Sequence, residues 1–148
     1  MMMWKKLMMA VVVSSIAVQG RAETSAATEA RTCCGLTSEQ AGLPLRPDVV
    51  ERVSPIYQTT RSGRHLVGAA VTYRSGLGLS VERLQAAADC QMIEGRIHPS
   101  SSPLAVKNVE AHARMERDRL RLDITSGDEA SAREIVRRAT TALSVAIR

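Results

Sequence analysis

The residues of this chain whose chemistry reaches beyond packing are three cysteines and three histidines. Cys33 and Cys34 adjoin in "RTCCGLT", Cys90 stands alone, and His65, His98 and His112 are dispersed. Thiolates with an imidazole suit Zn or Cu(I). Cys33, Cys34 and Cys90 with one of the three histidines therefore form the candidate metal set, and thiol redox work is the related reading. Their spacing counts against both. Structural zinc sites usually take ligands from Cys-x(2–4)-Cys pairs, and adjacent side chains point apart. No Cys-x-x-Cys occurs, and no lysine adjoins the pair to depress a thiol pKa.

A structural disulfide fits the cysteines better. Cys33–Cys90 or Cys34–Cys90 would close a loop of nearly sixty residues, worth at most about 4 kcal/mol by chain entropy. A vicinal Cys33–Cys34 bond needs a strained ring with its Cα atoms near the lower limit of separation. On a helical wheel Cys90 falls opposite the Val81, Leu84, Ala88 and Met92 stripe, on the side of Arg83 and Glu94. It is placed to meet something lying over the helix, and the N-terminal arm is the natural candidate. One thiol is left over in either pairing, to stay inert, join two chains or exchange with a partner.

Other catalytic constellations fail on spacing. His112 opposite Asp123 has the outline of a base with its orienting carboxylate, yet both belong to a solvent-facing strand and no nucleophile accompanies them. "GLGLS" lacks the spacing of a dinucleotide loop, and no phosphate-binding lysine follows it. Carboxylates are scattered singly. No catalytic residue is nominated.

The N-terminus speaks for export, and an oxidising compartment favours disulfides. Lys5 and Lys6 precede the apolar run Leu7–Val18, and Gly20-Arg21-Ala22 offers small residues at the two positions a signal peptidase inspects. Residues 1–22 are expected to be a cleaved signal peptide, leaving a periplasmic or secreted chain. The apolar run is too short to span a bilayer, so no membrane association is expected after cleavage. Cleavage removes Lys5, Lys6, Arg21 and no acid, so the formal charge falls from +5 to +2. Tyr57 and Tyr73 are then the only aromatics. Without a basic tract or a stacking platform, nucleic acid is an unsuitable partner, and the core must be aliphatic.

Residues 23–63 read as an irregular N-terminal arm, with a short helix over Asp48–Val53 opened by Pro47 and closed by Pro55. Residues 64–148 form a βαββα domain. "HLVGAAVTYR" (65–74) is a strand apolar on both faces. Ser80 caps a helix over Val81–Ile93, and 98–105 is a loop. Strict alternation over 109–116 and 119–124 makes a hairpin turning at Arg117-Asp118, with Met115 opposite Leu120, Arg114 opposite Arg121 and His112 opposite Asp123. Ser126 and Glu129 have capping-box spacing. The last helix carries Ala132, Ile135, Val136, Ala139, Leu143 and Ile147 on one stripe.

The fold class is thus α+β, β-α-β-β-α, a small antiparallel or mixed sheet with two helices on one face. Over residues 64–147 this order resembles a ferredoxin-like domain lacking its last strand, with Tyr57–Thr60 available as a strand beside the first. Copper metallochaperones of that fold carry Cys-x-x-Cys after the first strand, where this chain has "RSGLGLS" and no thiol. "ERVSPIY", "LVGAAVTY" and "LSVERLQAAADC" resemble exported proteins of high-GC proteobacteria that are themselves uncharacterised, so the resemblance implies export and no activity. The expectation is an exported, non-catalytic binding protein without a cofactor. Its partner would be another protein or a second copy, met through a strand edge and the N-terminal arm. The thiol-dependent Zn, Cu or redox protein is the alternative.

Overall fold

The computed structural model describes residues 35–144. Its core is a four-stranded antiparallel sheet in the order β1-β2-β4-β3. The strands are β1 Val50–Thr60, β2 Gly63–Tyr73, β3 Val109–Glu116 and β4 Arg119–Ser126. Three α-helices accompany them: α1 Ser38–Gly42, α2 Val81–Ile97 and α3 Glu129–Ser144. The two long helices pack on one face of the sheet.

That burial follows from alternation. Ala69, Val71 and Tyr73 of β2 and Leu122 and Ile124 of β4 share the helix-covered face and are fully buried; Ala70, on the opposite face of β2, is buried as well. Leu84 and Ala88 of α2 meet them, as do Ala132, Ile135 and Ala139 of α3. The β3–β4 hairpin has the register its alternation predicts, with Met115 opposite Leu120, Arg114 opposite Arg121 and His112 opposite Asp123. Its two turn residues, Arg117 and Asp118, both have positive φ, 50° and 62°. That is the twist-matched geometry of a two-residue hairpin loop.

The chain between 36 and 63 is more ordered than the sequence suggests. No helix covers Asp48–Val53. Residues 47–49 form a turn and Val50 begins the eleven-residue strand β1. Pro55 does not end a helix there. It sits on the open edge of the sheet, where its missing N–H breaks no ladder bond. Among the described residues the sheet has four strands, the fourth contributed from the N-terminal side, and every pairing is antiparallel. The arm also contains α1, with Thr37 and Gln40 forming a reciprocal capping box, and a 3₁₀ turn over Leu43–Leu45.

Two helix boundaries differ from expectation. α2 runs one turn further, to Ile97, with Ser80 as its cap as expected. α3 is capped by Asp128, whose Oδ1 accepts from Ser131 N at 2.8 Å. Ser126 lies inside the buried end of β4 instead, so the Ser126–Glu129 capping box does not form.

Glu134 organises the outer surface of α3. It accepts from Arg137 Nε at 2.7 Å and from Arg138 Nε at 2.6 Å. Arg138 then donates to the carbonyl of Ser100 at 2.8 Å, tying α3 to the loop before β3. The hydrogen bonds from Arg137 and Arg138 hold the Glu134 carboxyl down at about 2. A depressed folded-state pKa gives stability that is present above the ordinary carboxylate value and is lost as pH falls through about 4.5 toward 2. Thermal melts across that window should fall more steeply for the wild type than for Glu134→Gln, and equal slopes would refute the assignment.

Candidate functional site

Among the described residues, Cys90, His65, His98 and His112 are not brought together. Cys33 and Cys34, and residues 1–22 expected to form a signal peptide, lie outside the described residues, and so does either expected disulfide to Cys90. Cys90 is 1 % exposed. It sits with Ala87 on a second buried face of α2, away from the main core cluster. Against α2 packs α1, and Gln91 Nε2 donates to the carbonyl of Ala41 at 2.6 Å. The arm thus does lie on the helix.

The histidines occupy three separate places. His65 Nε2 meets the Ser62 hydroxyl at 3.0 Å near the tip of the β1–β2 hairpin. His98 lines a cleft of about 520 Å³ with Glu94 and Ser100, and no hydrogen bond joins its side chain to a serine among the described residues. His112 stands opposite Asp123 in register, but arginines occupy that carboxylate. Arg114 Nε lies 3.0 Å and Arg121 Nε 2.5 Å from its oxygens. Asp123 therefore does not orient a base. Among the described residues, no group of three His, Cys, Asp or Glu could hold a metal ion.

What the strands do assemble is a row of arginines on the face that no helix covers. Arg52 pairs with Thr72, Thr72 with Arg121, and Arg121 with Arg114, so one line across four strands carries three guanidiniums. Like charges directly opposite each other destabilise a sheet. The Arg114–Arg121 pair is held by carboxylates threaded between them, Asp123 below and Glu116 above. Arg121 Nη1 donates to Glu116 at 2.6 Å, and that bond holds the Glu116 carboxyl below its ordinary value.

At the end of the row the face is concave. Arg52, Arg117, Arg119 and Arg121 surround a hollow of about 470 Å³ together with Glu51 and Glu116. Three local features aim these side chains. A bulge between Val50 and Arg52 makes Glu51 an extra residue, and bulges re-aim the side chains beside them. The tight β3–β4 turn puts Arg117 at the rim. Alternation in β4 buries Leu120 and leaves Arg119 and Arg121 outward. Glu51 pairs with Arg119 from across the sheet. Arg52 and Arg117 form no ion pair among the described residues.

Both sheet edges are protected. The amide of Gln85 reaches from α2 to donate to Ala111 O at 2.9 Å and accept from Ala113 N at 2.7 Å, covering two edge groups of β3. Pro55 interrupts the edge of β1. Such devices keep edges from pairing with other chains.

The chain matches no family model, no curated protein and no solved structure. Among the described residues no helix is long and apolar enough to cross a membrane.

Proposed function

We propose that this chain is a small exported binding protein, acting by association and not by catalysis, that recognises an anionic partner through the helix-free face of its sheet. The observation that carries the reading is the line Arg52–Thr72–Arg121–Arg114. Packing does not require it: its members stand on the exposed or half-exposed side of their strands, and Arg114 faces Arg121 with Asp123 and Glu116 between them. The protected edges shift recognition from strand pairing to this face. The signal-like N-terminus supports export, and the order of the elements supports describing the domain as ferredoxin-like with an N-terminal strand in the place of the last.

Retention of the mature chain (23–148) on a polyanionic matrix such as dextran sulfate tests this reading. The variant Arg52→Gln/Arg114→Gln/Arg121→Gln should elute at clearly lower salt than the wild type. A control of equal charge change on the helical side, Arg96→Gln/Arg133→Gln/Arg137→Gln, should elute close to the wild type. Equal elution of the two variants, with both folded by circular dichroism, would reduce the attraction to net charge and refute the surface.

A further inference from the structure

The hollow at the end of the arginine row has a charge count that its own residues do not balance. Four guanidiniums line it against two carboxylates, Glu51 and Glu116, and with Asp123 and Arg114, which continue the same network from Arg121, five guanidiniums face three carboxylates, a surplus of two positive charges. Glu51 is taken by Arg119 and Glu116 by Arg121. Arg52 and Arg117 line the hollow and form no ion pair among the described residues, Arg117 acting on Glu116 only through space. A guanidinium presents five donors in a planar fork that matches a tetrahedral oxyanion two bonds at a time. Arg121 is already fixed: its side chain is 20 % exposed and is gripped by both Asp123 and Glu116. A donor held in place before the ligand arrives loses little entropy on binding.

Arg117 sits at φ 50°, a conformation uncommon for a long side chain, where Asn or Gly is the easier residue. The bulge at Glu51 interrupts β1 beside Arg52. A turn residue and a bulged strand far apart in sequence meet at one hollow.

We infer that this hollow binds a phosphate dianion, held between Arg52 and Arg117 with Arg121 beneath, either as the free ion or as the phosphate of a monoester. The inference rests on the proposed recognition face and names the chemistry of one hollow within it. Two negative charges neutralise the surplus. A single carboxylate leaves one positive charge unbalanced and offers two oxygens where phosphate offers three or four, so it binds less well.

Isothermal titration of the mature chain with inorganic phosphate, glycerol 3-phosphate and acetate at low ionic strength is the test. Saturable binding of either phosphate probe, with acetate at least tenfold weaker, is the expected result. Stronger binding of the ion than of the ester assigns free phosphate, and the reverse assigns the monoester. Arg52→Gln and Arg117→Asn should each weaken binding about tenfold, the loss of one charge-assisted hydrogen bond. Neither residue supports the fold through an ion pair, and Asn suits the φ at 117. Arg133→Gln on α3 should change nothing. No saturable phosphate binding, or equal affinity in Arg52→Gln and the wild type, overturns the site. If that happens while polyanion retention still depends on the arginine row, the face survives without its pocket. If retention fails as well, both readings fall.

Discussion

Gly68→Ala should cost this protein about 3 kcal/mol or more, lowering its melting temperature by about 10 °C or more. Gly68 lies in β2 opposite Thr125, where β2 first joins β4. A Cβ built there would stand 1.9 Å from the carbonyl oxygen of Ile124 and 2.8 Å from the Cα of Thr125. Both obstacles are backbone, so no rotamer change relieves them. The strands must part, and the ladder that parts is the only one joining the β1–β2 hairpin to the β3–β4 hairpin. The buried residues on either side, Ala69 and Ile124, lose their packing with it. Gly76→Ala separates collision from conformational strain. Gly76 has φ 79° but its Cβ would meet nothing within 4 Å, so it should lose only about 1–2 kcal/mol. Urea denaturation of the two variants measures the difference, and similar costs would show that Gly68 is needed for its dihedral alone.

The contrast between the two hairpins explains what the sequence could and could not reveal. β3 and β4 each bury one face, so hydrophobic and polar residues alternate and the register follows from a two-residue turn. Arg114 opposite Arg121 is legible on that basis. β1 is an edge strand with only Val50 buried along its length. "VERVSPIYQTT" has no alternation to read, and its two flanking or internal prolines imitate the start and stop of a helix. Cys90 shows the same effect in α2. A wheel with one apolar stripe puts it outside, yet the helix is covered on a second side by the arm, and the cysteine is buried without joining the main core. The arginine hollow is a tertiary product. It needs the β2–β4 register, the β1–β2 register and a one-residue bulge, and none of these leaves a local signature.

Tyr73 is where the arm and the core become one structure, and its loss should be the most damaging single truncation. It is fully buried at the end of β2 and is the only aromatic side chain in the core among the described residues. Its hydroxyl donates to the carbonyl of Pro44 at 2.7 Å, joining the sheet to the 3₁₀ turn of the arm. Next to it, Arg74 N donates to Val49 O at 2.9 Å. Tyr73→Ala removes the largest buried side chain from a core of Ala, Val, Leu and Ile, and should cost about 3–5 kcal/mol. A domain of ordinary stability, about 5–15 kcal/mol, keeps little margin after that loss. Tyr73→Phe keeps the ring and isolates the hydrogen bond. It leaves the Pro44 carbonyl buried without that donor, at a cost of about 1–2 kcal/mol, and residues 36–46 should become the first site of limited proteolysis. Burial also pushes the Tyr73 phenol far above its ordinary value of 10. A folded-state pKa raised in this way leaves its stabilisation whole below pH 10 and erodes it as pH rises further. In a Tyr57→Phe background, phenolate absorbance should therefore rise only together with loss of the folded circular dichroism signal. In the Tyr73→Phe variant the alkaline loss of stability should flatten. Phenolate absorbance appearing at pH 10 in a folded chain would place Tyr73 at the surface and detach the arm from the core.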